Sequence, residues 1–175
     1  MKYLLFLFLI VPLTFLSAQD FPGLDKSPMD KAWYPASYRV SDKVAAITYS
    51  RPQLKGRNFD DIVPSGKIWR TGANEATELR VFKPISIGGT KIPVGTYTVL
   101  TIFESQNMTF IVNSDTNGWG AYSYNKENDV VRLRVPVTNA EEVLESFSMT
   151  FTSNATPQLH MGWATLRATI PFTEL

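Results

Sequence analysis

The sequence predicts an all-β fold, an antiparallel β-sandwich or jelly roll of about nine strands with one or two short helices. Three observations point there. Apolar and polar residues alternate at 77–81, 97–103, 108–112, 131–137, 147–151 and 159–172, the period of half-buried strands. Turn-forming clusters separate these runs at short spacing, with no repeat and no domain boundary between them. Aromatic residues make up 13% of the chain, which suits a β-rich core or a stacking surface. An open barrel is the second choice.

The chain opens with Met1-Lys2, followed by an apolar run from Tyr3 to Leu16 that is interrupted by Pro12. Ser17-Ala18 then supplies small residues before Gln19. This order is that of a secretory signal peptide over residues 1–18. The apolar run is short of the ~20 residues that a membrane span needs. A periplasmic or secreted protein is expected, with no membrane span after cleavage. There is no cysteine, so disulfides, thiol chemistry and a lipid on an N-terminal cysteine are excluded. Residues 19–27 read as an N-terminal arm and 28–175 as a single β-sandwich domain, long enough to bury a core without staples. Lys2 is the leader's only charge, so its removal takes the formal net charge from +1 to zero. That balance gives no footing for nucleic acid or an anionic membrane.

Ser27-Pro28-Met29-Asp30 carries a cap residue, a first-turn proline and an acid, which predicts a short helix or turn over about 28–33. Val44 to Ser50 is the first strand. Gln53 to Lys67 has no sustained period and reads as a long loop, tucked onto the core by Ile62-Val63. Thr77, Leu79 and Val81 alternate with Glu78 and Arg80. Ile85-Ser86-Ile87 is a short strand closed by the hairpin signal Gly88-Gly89. Pro93-Val94-Gly95 predicts a type II turn. The strand 97–103 is apolar on both faces and belongs in the middle of a sheet; 108–112 runs back beside it. Asn113 to Gly120 is a polar loop holding Trp119. Tyr122 and Tyr124 alternate as a strand would, with at least one in the core. The strand 131–137 has one wet face. Asn139 and Glu142 form a capping box, predicting a helix over 140–146. Phe147, Met149 and Phe151 form the next strand, followed by a turn cluster at 152–157. The apolar positions are odd up to Trp163 and even from Ala164, which predicts a bulge near Gly162.

Familiar catalytic patterns are missing. His160 is the only histidine, so two-histidine metal sites are excluded, and its place opposite the core residues reads as structural. There is no Gly-x-Ser-x-Gly and no phosphate loop. No cofactor is expected. Asn107 and Asn154 begin short glycosylation-type motifs that recur by chance.

The densest polar stretch is Trp69 to Glu75. In one reading Arg70, Asn74 and Glu75 are a buried knot, with Arg70 paired to Glu75 or Glu78. In the other they line a pocket. Arginine offers a rigid fork for an anion, asparagine fixes a hydroxyl or amide, and Glu75 can act as acid or base. Arg51, Lys55, Arg57, Lys67 and Arg70 place five cations in twenty positions beside that pocket. Trp119 offers a stacking surface. The candidate ligand-binding residues are therefore Arg51, Lys55, Arg57, Arg70, Asn74, Glu75 and Trp119.

The segments Tyr49-Ser50-Arg51-Pro52, Lys55-Gly56-Arg57, Val63-Pro64 and Gly66 to Thr77 resemble a family of exported bacterial proteins called domain of unknown function 2911. The similarity continues through Pro93 to Tyr97, Trp119 to Tyr122, Asp129-Val130 and the strand of Trp163. It covers roughly 28–172. Asp60-Asp61 departs from it, where smaller, glycine-containing sequence is the family's pattern. The resemblance implies a bacterial exported protein and carries no established activity.

Three functions stay open on these residues. The first is a non-catalytic binding module for a small polar or anionic ligand, a saccharide or a peptide end. The second is an envelope hydrolase using Glu75 with Arg70. The third is a structural or assembly protein. An open pocket lined by Arg70, Asn74 and Glu75 separates the first two from the third.

Overall fold

The protein is described by a computed structural model covering residues 19–152 and 156–175. The leader and the motif at Asn154 lie outside the described residues, as does the middle of the 152–157 turn. Ten strands are present: β1 Met29–Tyr34, β2 Ala45–Ser50, β3 Ile68–Trp69, β4 Thr77–Val81, β5 Ile85–Ile87, β6 Thr90–Ile92, β7 Gly95–Phe103, β8 Asn107–Asn113, β9 Asp129–Thr152 and β10 Gln158–Glu174. They join in one antiparallel path, β1-β2-β4-β7-β8-β9-β10-β5-β6, with β3 added to β7. The end strands β1 and β6 do not pair with each other, so the sheet is not closed.

The long strand β9 turns this path into two layers. Its first part, up to Pro136, pairs with β8; from Val137 it pairs with β10. The two layers press their dry faces together. Tyr34 meets Phe172 edge-on at 5.0 Å, and Tyr49 meets Phe147 at 5.6 Å. Trp69 stacks on Trp163 with ring centres 5.8 Å apart. Such aromatic pairs add to plain area burial. The Tyr49 hydroxyl donates to the Met149 carbonyl at 3.2 Å and accepts from the Met149 N–H at 2.8 Å. That tyrosine therefore ties β2 to β9 through the core.

The alternating runs form strands as expected, and β7 lies between β4 and β8. Gly88 and Gly89, at φ 58° and 80°, close the β5–β6 hairpin, where two successive residues need positive φ. Gly95 has no positive φ and simply opens β7, so the turn before it is not type II. The loop 53–67 contains a short helix α1, Phe59–Ile62, whose Asp61 carboxylate accepts the Asn58 N–H at 2.9 Å. That cap accounts for Asp61, and Asp60 lies beside it in the helix's first turn.

Both helices expected elsewhere are strands. Residues 29–34 form β1, paired with β2 from Met29↔Ser50 to Tyr34↔Ala45. The cap residues Ser27-Pro28 are a local signal, and pairing along six residues outweighs it. Residues 140–146 lie inside β9. There β9 carries more residues than its partner: Asn139 faces Leu166 and Leu144 faces Ala164. The helix-like stretch is the surplus that β9 must bulge out. The parity flip has the same origin, and its backbone signature is Ala164 at φ 48° rather than Gly162. Met161 is buried and Leu166 half-buried, on either side of the flip. Tyr122 and Tyr124 lie in a turn, not a strand, and neither is in the core. Tyr122 is 85% exposed, while the Tyr124 hydroxyl bonds Asp129 at 2.8 Å. His160 sits between the hydroxyls of Thr152 and Thr169, at 2.9 and 3.0 Å.

Candidate functional site

The stretch after β3 is a closed loop. Trp69 stays in the core, and the chain then leaves the sheet and returns at Thr77, whose N–H reaches the Arg70 carbonyl at 3.4 Å. Thr71, buried at φ 59°, is held by its own side chain against the Thr101 hydroxyl at 3.1 Å. Its carbonyl accepts the Thr77 hydroxyl at 2.7 Å. Gly72 lies directly on β2: a Cβ there would sit 3.0 Å from the Ser50 carbonyl oxygen and 3.2 Å from the Thr77 hydroxyl. No larger residue fits without moving backbone. Among the described residues no buried side-chain polar atom lacks a partner.

This loop holds a second one. The Asn74 carbonyl accepts the Gly120 N–H at 3.0 Å, and the Ala76 N–H donates to the Gly118 carbonyl at 3.0 Å. Glu75 and Trp119 face each other across this bridge. Trp119 is 58% exposed although its backbone is fixed on both sides.

Clefts open on both sides of the seam. The first, about 380 Å³, is floored by a row across β2, β4 and β7, in which Thr48 pairs with Glu78 and Glu78 with Thr98. Glu75, Thr116, Asn117 and Trp119 line it as well. No lysine, arginine or histidine lines it, and its charged lining residues are the carboxylates Glu75 and Glu78; Lys31 stands beside Thr48 on the adjoining strand β1. The second, about 250 Å³, is lined by Arg57, Arg70 and Asn74 together with Pro52, Ile62, Trp69 and Ala73. Arg57 is fixed by bonds to the Leu54 and Gln53 carbonyls at 3.0 and 2.8 Å. Arg70 donates to the Asn74 carbonyl at 3.3 Å. It pairs with neither Glu75 nor Glu78 among the described residues.

The seven candidate residues thus fall into three groups. Glu75 and Trp119 share the acidic cleft. Arg57, Arg70 and Asn74 share the basic one. Arg51 and Lys55 line neither. Arg51 spends its donors on Asp30 at 3.0 Å, Ser148 at 2.7 Å and the Phe147 carbonyl at 3.0 Å, bracing β1 and β2 against β9. Lys55 sits on an exposed turn at φ 50°, and its N–H bonds the Glu145 carboxylate at 2.7 Å.

Residues 27–172 match the family described as a protein of unknown function, DUF2911. The chain belongs to that family. The match runs from just before β1 to Phe172 within β10, and it includes both clefts of this DUF2911 protein. Neither the curated proteins nor the solved structures hold a match to the chain.

Sequence reasoning missed the floor of the acidic cleft. Glu78 could be placed on the wet face of its strand, because Thr77, Leu79 and Val81 take the other. Nothing local to it named Thr48 and Thr98 as its neighbours, since cross-strand partners depend on register.

Proposed function

We propose that this is an exported, non-catalytic binding domain whose acidic cleft takes a neutral saccharide. One observation carries the reading: an exposed indole, pinned by a backbone bridge, stands beside a cleft of hydroxyls, an amide and two carboxylates. An indole presents a flat apolar face of the kind a sugar ring can lie on. Thr48, Thr98, Thr116 and Asn117 can both donate to and accept from hydroxyls, and Glu75 and Glu78 accept. Two carboxylates in the lining disfavour an anion in this cleft, and the cation Lys31 stands outside the lining, beyond Thr48. Export rests on the order of charge, apolar run and small residues over 1–18.

The test is a titration of the protein with neutral and acidic oligosaccharides, followed by intrinsic tryptophan fluorescence and calorimetry. Neutral oligosaccharides are expected to bind, and Trp119→Ala to weaken them. Absence of binding by every neutral sugar, or preference for the acidic ones, would remove the proposal.

The hydrolase reading changes its residues. Arg70 opens on the other cleft, and Glu78 is the acid that shares a cleft with Glu75. Glycoside hydrolysis uses such a carboxylate pair when its spacing admits a water or a sugar carbon. Appearance of new reducing ends during the same incubation, abolished by Glu75→Gln, would replace binding with hydrolysis.

A further inference from the structure

The basic cleft carries chemistry that the saccharide reading does not use. Two guanidiniums line it, and among the described residues neither belongs to an ion pair. Arg57 is held in place by Nε and Nη2, and its Nη1 has no bond among the described residues. Arg70 uses only Nη1, on the Asn74 carbonyl. Planar guanidiniums with free N–H groups are suited to carboxylates. The Asn74 amide lines the same cleft, and it already holds a carboxylate. Its Nδ2 donates to Asp25 of the N-terminal arm at 3.1 Å. The same Asp25 oxygen accepts the Ser27 N–H at 2.6 Å, which fixes the arm at the rim of the cleft. The rest of the lining is small or apolar: Ser27, Pro52, Ile62, Trp69, Gly72 and Ala73.

From this we infer a second binding site, for the C-terminal end of a peptide with a small last side chain, with Asp25 as its built-in competitor. The terminal carboxylate lies between Arg57 and Arg70. The preceding peptide carbonyl takes the Asn74 amide from Asp25. The last side chain rests against Pro52, Ile62 and Ala73. Asp25 does not reach the guanidiniums, so it holds the rim and leaves the cations for the incoming group. At about 250 Å³ the cleft suits an amino-acid-sized end rather than a sugar chain. The site is independent of the Trp119 cleft, since the two share no lining residue.

The experiment is a two-dimensional NMR titration of the ¹⁵N-labelled protein, parent and variants, with N-acetylalanine, N-acetylalanine amide and glucuronate. N-acetylalanine is expected to shift the Gly72 and Ala73 amides and the arginine Nε signals, and the amide probe to leave them in place. Asp25→Ala tightens N-acetylalanine about threefold by removing the competing hydrogen bond. Arg57→Gln and Arg70→Gln each weaken it about tenfold by removing a charge-assisted pair. Trp119→Ala leaves it unchanged, which separates this site from the saccharide cleft. Should Arg70→Gln fail to fold, Arg57→Gln carries the test, because Arg57 bonds only to neighbouring loop carbonyls. The proposal falls if N-acetylalanine shifts none of these signals in Asp25→Ala. It also falls if the amide probe binds equally, or if the folded arginine variants bind as the parent does. Tighter binding of glucuronate would overturn the peptide end in favour of an acidic sugar.

Discussion

Tyr49→Phe tests whether one hydroxyl fastens the two layers. The substitution keeps the ring, and so keeps the edge contact with Phe147 at 5.6 Å and leaves no cavity. What it removes is the partner of both the N–H and the carbonyl of Met149, which are buried between the layers. Leaving such groups unpaired costs about 1–3 kcal/mol. At about 2 kcal/mol, and about 2–4 °C per kcal/mol for a chain of this size, the melting temperature should fall by about 4–8 °C. Tyr49→Ala loses the ring as well and should fall further, by an aromatic truncation of about 3–5 kcal/mol. The pH dependence gives a second reading. Burial, aided by the Asp30 charge, raises the Tyr49 phenol above its ordinary value of 10.0, against the opposing effects of the Met149 backbone and Arg51. A raised phenol pKa means the folded state holds its proton more tightly than the unfolded chain. Its contribution is complete below pH 10.0 and is lost as pH rises through the folded value. Tyr34 and Tyr124 are raised too, chiefly by burial, so the parent should destabilise in alkali through all three. Tyr49→Phe should show a shallower alkaline decline than the parent. Thermal unfolding followed by circular dichroism, from neutral pH to above 10, checks both points. A variant that melts with the parent at neutral pH and declines as steeply in alkali would refute the layer-fastening role.

Three further outcomes follow from the site. In Trp119→Ala, a ligand covering one face of the indole no longer buries about 70 Å² of it, which at ~25 cal/mol/Å² is about 1.8 kcal/mol, or roughly 20-fold in Kd; unchanged affinity for a neutral oligosaccharide would discard the indole as platform. Gly72→Ala should cost about 1–3 kcal/mol in denaturant unfolding, because its Cβ would press on the Ser50 backbone and has no rotamer through which to escape; a neutral result would mean that the loop is not clamped to β2. Glu75→Gln should leave stability within about 0.5 kcal/mol, since its side chain is exposed and in no ion pair among the described residues, while Arg51→Ala, which strips three bonds from β1 and β9, should cost about 1–3 kcal/mol; the reverse order would exchange their roles as site and scaffold.

Legibility in this chain follows the range of the interaction. Alternation at 77–81 or 131–137 is readable because each strand has one dry face, and dryness is recorded residue by residue. The segments 28–33 and 140–146 read as helices because caps are also local, whereas the strand partners that overrule them lie 11 to 21 residues away for β1, and for β9 on the partner strand β10. The same limit explains the site. Asn74 and Glu75 are adjacent in sequence and look like one constellation, yet Asn74 stands at φ 59°, a left-handed bend that turns the chain between the two side chains. They therefore open on different clefts, one basic and one acidic. The choice between a structural knot and a site is then made atom by atom rather than residue by residue. The Asn74 carbonyl holds Gly120 and Arg70, while its amide faces the arm. Thr71, Thr77 and Gly72 are spent on clamping the loop to β2 and β7. That clamping is what allows Trp119 to stand exposed without a side-chain anchor of its own. Polar density around Trp69 to Thr77 thus marks the seam from which both clefts are displayed, and the stretch itself lines most of the basic one.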